Sequence, residues 1–253
     1  MHEAYCRVAT VRTSARGSVG CGTMPRMTTN PLASPLSLPA RPELTGGRPL
    51  GVLLLPGHGT RWQDLNKVAW ADWYAEAERA LDLLRGGTEG VVVGALSMGG
   101  SLALRLAEER GADVAGLVLV NPFVSSTRKE LVALPVMKRL LPSLKGVVND
   151  IKKPGQDEVG YPRLPLRGLA EVTAMWRSVV PDLPKVTQPL LYFRSAVDHV
   201  IDASSSPTVL RAVSSRDVEE RILEESYHVA TLDNDAPQIF EESAAFVARV
   251  TAS

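Results

Sequence analysis

Three short runs constrain the fold of this chain most: GVVVGA, AGLVLVN and PLLYFR are apolar on nearly every residue. At this length they suit strands buried on both faces better than helices. Helical stretches lie between them. In WADWYAEAERALDLLRGG, the residues Trp70, Trp73, Ala77, Ala80, Leu81 and Leu84 recur at three and four, and Gly86-Gly87 can end the helix. MGGSLALRLAEERG puts Leu102, Ala103, Leu106 and Ala107 on one face, with Gly111 past its end. Two more strands are expected, LGVLLL at 50–55 and VEERIL near the end. Ser206-Pro207 opens one further helix, and Asp235 with Pro237 opens the last. Buried strands alternating with amphipathic helices predict an α/β fold, a mostly parallel sheet with helices on both faces.

Two segments break this rhythm. Residues 122–188 separate two strands without an expected strand of their own and contain Pro135, Pro142, Pro154, Pro162, Pro165, Pro181 and Pro184. A connection that long is usually functional, and here it is expected to form a small cap over the strand ends. Residues 1–48, with the stretch TTNPLASPLSLPARPELTGGRP, hold one aromatic, Tyr5, and no stable period. Such a segment buries too little apolar surface to offset the entropy of ordering, so it is expected to be mostly irregular. The organisation read from sequence is thus an atypical segment over 1–48 and one domain over 49–253, with the cap inserted at about 122–188.

Composition excludes several function classes. The 253 residues suffice for one packed domain, and a formal charge of zero gives no electrostatic argument for nucleic acid or an anionic membrane. No apolar run approaches the ~18 residues that span a bilayer, and no strongly basic amphipathic helix supports a membrane anchor. Arg7, Arg12 and Arg16 are not followed by an apolar block of signal-peptide length, so a cytoplasmic location is expected. Cys6 and Cys21 read as free thiols, and no CxxC or histidine cluster suggests a metal. Nothing in the pattern specifies an oligomeric state.

The strongest chemical signal is VVVGALSMGGSLAL. A strand runs into Ser97 and a helix begins at once, the context of a nucleophile elbow. The turn requires small neighbours; Gly99 supplies one side, and Ala95 stands where a glycine is usual on the other. The helix N-terminus adds partial positive charge, and the Met98 N–H points to where an oxyanion would form. The bland alternative is a Ser-Gly helix cap after a buried strand. A nucleophilic serine needs a base, and the base needs an orienting acid. The chain has four histidines: His2, His58, His199 and His228. The order serine, acid, histidine selects Asp198 in LYFRSAVDHVID and His228 in ILEESYHVATLD, both in loops at the carboxyl edge of the sheet. Asp202 is the rival acid, Asp233 and Asp235 read as caps of the last helix, and His199 reads as a loop or substrate-side residue.

GALSMGG, RSAVDHVID and SYHVATLDNDAP resemble the small bacterial carboxylesterases and monoacylglycerol lipases of the α/β-hydrolase superfamily, particularly actinobacterial ones. LPGHGTRWQDLN, NPF at 121–123 and KPGQDEVGY at 153–161 are similar to the same family, and the resemblance spans about residues 51–250. It implies an α/β-hydrolase fold with a small cap, a Ser97–His228–Asp198 triad, no cofactor, and hydrolysis of short- to medium-chain acyl esters, with a small acyl ester as the partner.

The family pattern also implies a second oxyanion donor on an earlier loop. PGHG at 56–59 is not that loop: Gly57 lies 40 residues before Ser97, one strand–helix–strand step, and the oxyanion loop belongs a further strand and helix upstream. It is expected near residues 15–30, where ARGSVGCGTMPRMTTN offers no buried strand and no His-Gly. Three explanations stand: residues 1–48 are unrelated sequence introduced by a frameshift or misplaced start; strand 50–55 moves into the vacant place and the His58 N–H serves as donor; or the chain is a diverged family member. Losing one donor costs on the order of 100- to 1,000-fold in turnover.

The expected function is a serine ester hydrolase. Phe123, Val124, Leu134, Val136 and Met137 are candidate acyl-pocket or cap residues, and Tyr161 and Trp176 candidate cap residues; core packing explains them nearly as well. The alternatives are a peptidase of the same fold and a non-catalytic chain that binds a small apolar ligand or nothing.

Overall fold

The computed structural model describes residues 51–86 and 90–252. The expectations for residues 1–48, including Cys6, Cys21 and the region of the expected oxyanion loop, lie outside the described residues.

A parallel sheet forms the centre. Its strands are β1 (Val91–Leu96), β2 (Val114–Val120), β5 (Leu190–Ser195) and β6 (Val218–Leu223), side by side in the order β1-β2-β5-β6. The continuous apolar runs have the cause expected of them, since each of the three runs buries both faces. Val91, Val93, Ala95, Leu117, Leu119, Leu190 and Tyr192 pack on one side, with Trp73, Ala77, Leu102, Leu106, Met175 and Val179. Val92, Val118, Val120, Leu191 and Phe193 pack on the other, with Ile239, Phe246 and Val247. The helices responsible are α2 (Trp70–Arg85), α3 (Met98–Arg110) and α5 (Leu166–Asp182) on the first face and α7 (Ala236–Val250) on the second. Short helices α1 (Trp62–Leu65) and α6 (Ser205–Leu210) lie in the connections. Strand β6 alternates exposed and half-buried residues, and its Arg221 pairs with Glu242 of α7 at 2.6 Å. Charged side chains on an edge strand discourage pairing with other chains.

Two expectations are corrected here. LGVLLL was expected to be a strand, but residues 51–55 join no ladder among the described residues. Leu53 and Leu55 are still buried, in the same cluster as Val91 and Val93. Apolar burial therefore fixes the segment, while β1 pairs with β2 and not with it. An apolar run reports burial, and a strand also needs a neighbour to pair with.

The long connection was expected to lack strands and to form one cap. It contains α4 (Glu130–Leu140) and an antiparallel ribbon, β3 (Ser143–Lys145) with β4 (Arg163–Pro165). Its last helix, α5, serves two layers. Leu166 and Ala170 pack with Leu134 of α4, whereas Val172, Met175 and Val179 enter the main core against α3. Prolines punctuate the sequence but do not exclude the three-residue strands, whose ladder ends on Pro165. Pro at a strand end removes no internal ladder bond. Among the described residues no helix is long and apolar enough to cross a membrane.

Candidate active site

Ser97 sits between β1 and α3 with φ 54° and ψ −123°. A non-glycine residue there is strained by an amount on the order of 1–3 kcal/mol and persists only where its surroundings over-determine it. They do so here. The Ser97 N–H donates to the Val120 carbonyl at 3.0 Å, continuing the β1–β2 ladder, and the Ser97 carbonyl accepts from Gly100 and Phe123 N–H groups at 2.9 Å each. The close approach of helix to strand end rests on Gly100. A Cβ on it would lie 2.4 Å from the Cβ of Pro122.

The loop after β5 carries Asp198, and the loop after β6 carries His228. The His228 Nε2 lies 2.9 Å from the Ser97 Oγ, and its Nδ1 lies 2.7 Å from Asp198 Oδ2. Asp198 Oδ1 accepts the N–H groups of Val200 and Ile201 at 2.8 and 2.9 Å, which fixes the carboxylate within its own loop. His228 and Asp198 side chains are 8 % and 9 % exposed, so water competes little for their mutual bond. The three residues selected from chain order thus meet as one hydrogen-bonded series. The Met98 N–H, first of helix α3, takes no hydrogen-bond partner among the described residues, as expected for the open end of a helix. It is available to an anion next to Ser97.

The rival acid does not reach the base. Asp202 accepts from Ser126 Oγ at 2.5 Å, Thr127 N–H at 2.9 Å and Ser204 N–H at 3.0 Å. Burial opposes its ionisation, but these donors outweigh burial and bring its pKa down to about 2. Asp233 and Asp235 do not cap α7 with their side chains, contrary to expectation. Asp235 accepts the Glu225 N–H at 2.9 Å. Asp233 accepts N–H groups from Lys152, Lys153 and Tyr227 at 2.6, 2.8 and 2.9 Å. Backbone donors of the neighbouring loops claim both carboxylates before the helix does.

His58 does not offer its N–H as an oxyanion donor. That group donates to the Leu55 carbonyl at 3.0 Å and closes the turn in which Gly57 has φ 80°. The turn is held elsewhere too. Tyr161 from the cap donates to the Gly57 carbonyl at 3.0 Å and accepts from the Thr60 N–H at 2.8 Å, and Trp73 Nε1 donates to the Pro56 carbonyl at 2.9 Å. The His58 ring stands edge-on to Trp73 with its Nδ1 buried and unpartnered. Burial lowers its pKa to about 4, against the weaker opposite pull of the Pro56 and Leu55 backbone.

The candidate pocket residues separate. Trp176 Nε1 donates to the Phe123 carbonyl at 2.8 Å, and the two rings meet edge-on at 4.6 Å beside the Ser97 turn. Leu134 and Trp176 line a groove of about 400 Å³ between α4 and α5. Val124 belongs to the main core, Met137 packs within the cap, and Val136 is exposed on its outside, so none of these three forms a pocket wall at Ser97. Sequence reasoning gave no role to Asn121, the first residue of the NPF stretch. With φ 42°, it donates to the His228 carbonyl at 2.8 Å and accepts the Ser195 N–H at 2.8 Å, holding the histidine loop against β5. An asparagine at a strand end, able to adopt positive φ and to both donate and accept, was the available signal.

Residues 55–235 match the serine aminopeptidase S33 (Hydrolase_4) family. The chain is 32 % identical over 197 residues to a thermostable monoacylglycerol lipase of Bacillus sp. (strain H-257), covering 77 % of each. It is 30 % identical over 178 residues to the human monoglyceride lipase, covering 62 % of this chain and 58 % of that one. Among solved structures, one from work on the metagenome-derived lipolytic enzymes LipS and LipT superposes with a TM-score of 0.77 at 30 % identity, over 86 % of this chain and 90 % of that one. The monoacylglycerol lipase of Paleococcus ferrophilus shares the fold, with a TM-score of 0.65 at 16 % identity over 82 % and 86 % of the two chains. The elbow, the parallel sheet and these matches together place the chain in the serine aminopeptidase S33 family of α/β-hydrolases, in the company of monoacylglycerol lipases and esterases.

Proposed function

We propose that this chain is a serine ester hydrolase that cleaves short- to medium-chain carboxylic esters, of the carboxylesterase or monoacylglycerol lipase type, through an acyl-enzyme on Ser97. His228 accepts the Ser97 hydroxyl proton as the oxygen attacks the ester carbonyl, and returns it to the departing alcohol. Asp198 orients the imidazole by accepting from Nδ1–H and faces the imidazolium that forms. The Met98 N–H and the dipole of α3 face the tetrahedral oxyanion. Water, activated by the same histidine, then releases the acid. The observation that carries this reading is the unbroken series from Asp198 through His228 to Ser97 at 2.7 and 2.9 Å, on a serine held in a strained elbow. Lipases among the relatives support the choice of ester over other acyl substrates.

The test is hydrolysis of p-nitrophenyl butyrate and of a monoacylglycerol by the whole chain beside Ser97→Ala, with an aminoacyl p-nitroanilide as the peptidase control. Ester turnover lost in the variant is the expected result. Faster cleavage of the anilide would replace the esterase by the peptidase reading. A second reading, a catalytically impaired chain, is favoured by two observations: the His58 N–H is held by Leu55, and residues 51–55 pair with no strand among the described residues. Under it, a fluorophosphonate probe labels Ser97 slowly or not at all in folded protein.

A further inference from the structure

The acid and the base of the series above stand on separate loops, and each loop is tied within itself. A second carboxylate joins them. Asp150 comes from the connection between β3 and β4, 78 positions before His228. One of its oxygens, Oδ2, accepts the His228 N–H and the His199 N–H, each at 3.1 Å. The other, Oδ1, lies 2.7 Å from His199 Nδ1. The Asp150 carbonyl accepts the Val229 N–H at 3.1 Å. A single buried side chain thus takes one backbone donor from the acid's loop and one from the base's loop, beside the bond between Asp198 and His228.

Asp150 is itself held firmly. Asn149, at φ 58°, turns the chain, and it exchanges bonds with Glu158: its N–H donates to Glu158 Oε1 at 2.6 Å, and its Oδ1 accepts the Glu158 N–H at 2.9 Å. On the other side, Asp233 fixes the N–H groups of Lys152 and Lys153. The His199 ring, half in solvent, stands edge-on to Tyr227 at 4.7 Å, a second bridge between the loops. We propose that Asp150 is a positioning residue for the triad: it sets the spacing of the Asp198 and His228 loops and couples it to the cap. This rests on the reading of Ser97, His228 and Asp198 as the catalytic series. Asp150 touches neither Ser97 nor the Asp198 carboxylate, so it acts through the backbone of His228.

The consequence is specific. Loss of Asp150 frees the two loops to drift, and displacements near 1 Å at a reacting group cost roughly 100-fold in rate. In Asp150→Ala, kcat for p-nitrophenyl butyrate is expected to fall by about 10- to 100-fold with KM within about twofold. Asp150→Asn, which keeps one acceptor, recovers part of the loss. A readout independent of turnover is the downfield proton resonance of His228 Nδ1–H, assigned with His199→Gln, which removes the other Nδ1–carboxylate pair. That resonance is expected to move upfield or broaden in Asp150→Ala while thermal unfolding stays cooperative. An unchanged resonance and unchanged kcat in folded Asp150→Ala would overturn the proposal. If that variant does not fold, Asp150→Asn decides: a shifted resonance supports the role, and wild-type resonance and rate refute it. A wild-type chain without turnover and without probe labelling would sink the hydrolase reading, yet the resonance would still test whether Asp150 positions His228.

Discussion

The Trp176 indole N–H of α5 donates to the Phe123 carbonyl at 2.8 Å, and the Phe123 N–H donates in turn to the Ser97 carbonyl at 2.9 Å. Two hydrogen bonds therefore link the helix that carries the cap to the backbone of the elbow. Ser101 Oγ donates to the same Phe123 carbonyl at 2.7 Å, so the peptide is held from both sides.

Trp176→Phe keeps most of the aromatic contact with Phe123 and removes the indole donor. One hydrogen bond of this kind contributes about 1 kcal/mol net. The expected effect on butyrate ester hydrolysis is a three- to tenfold fall in kcat/KM, with a smaller change for acetate, whose acyl chain reaches less far. Steady-state kinetics on the two esters checks this. Equal effects on both would place Trp176 in the scaffold alone.

Gly100 is where the elbow meets the sheet. Gly100→Ala would force a methyl group to within 2.4 Å of the Pro122 Cβ and 2.9 Å of its Cα, and Pro122 cannot step aside without moving Asn121 and Phe123. Overpacking of this kind costs about 1–3 kcal/mol. The expected result is a lower midpoint in urea unfolding with an unchanged slope, and lost ester turnover because α3 and the Met98 N–H move together. An alanine variant as stable and active as the parent would contradict the rigid packing described here.

Ser97 offers the opposite sign. Its φ of 54° strains a serine but suits glycine. Ser97→Gly is expected to abolish hydrolysis and, after glycine's larger entropy loss on folding is subtracted, to stabilise the fold by about 1 kcal/mol. Thermal unfolding of Ser97→Gly beside Ser97→Ala separates strain relief from loss of the hydroxyl, since alanine keeps the strain. Equal melting temperatures would refute the strain argument.

The parts of this site that could be read in the sequence are those where one residue type in one context has few explanations. A serine between an apolar strand and a helix, and an aspartate and a histidine just past the last two strands, fit few arrangements other than the observed one. Strands β1, β2 and β5 were legible because burial on both faces demands unbroken apolar runs. Residues 51–55 carry the same pattern and form no ladder among the described residues, because the pattern records burial and not pairing. Asn121 and Asp150 were not legible. Their partners are backbone groups 107 and 78 positions away, and no local pattern encodes where a distant N–H or carbonyl will come to rest.

His58 gives a pH dependence of stability with a definite sign. Its folded pKa lies near 4, below the value of 6.5 for a free imidazole, because burial disfavours the cation. Between those values the unfolded chain binds the proton more readily than the folded one, so protonation favours unfolding. The contribution is fully present above about pH 6.5 and is lost as pH falls toward 4, reaching about 3 kcal/mol at its limit. Chemical denaturation from pH 7.5 down to 4.5 should therefore show a falling midpoint that is flatter in His58→Leu, which fills the site against Trp73 without a titrating group. Matching pH profiles in the two proteins would mean that the imidazole is solvated in the folded state.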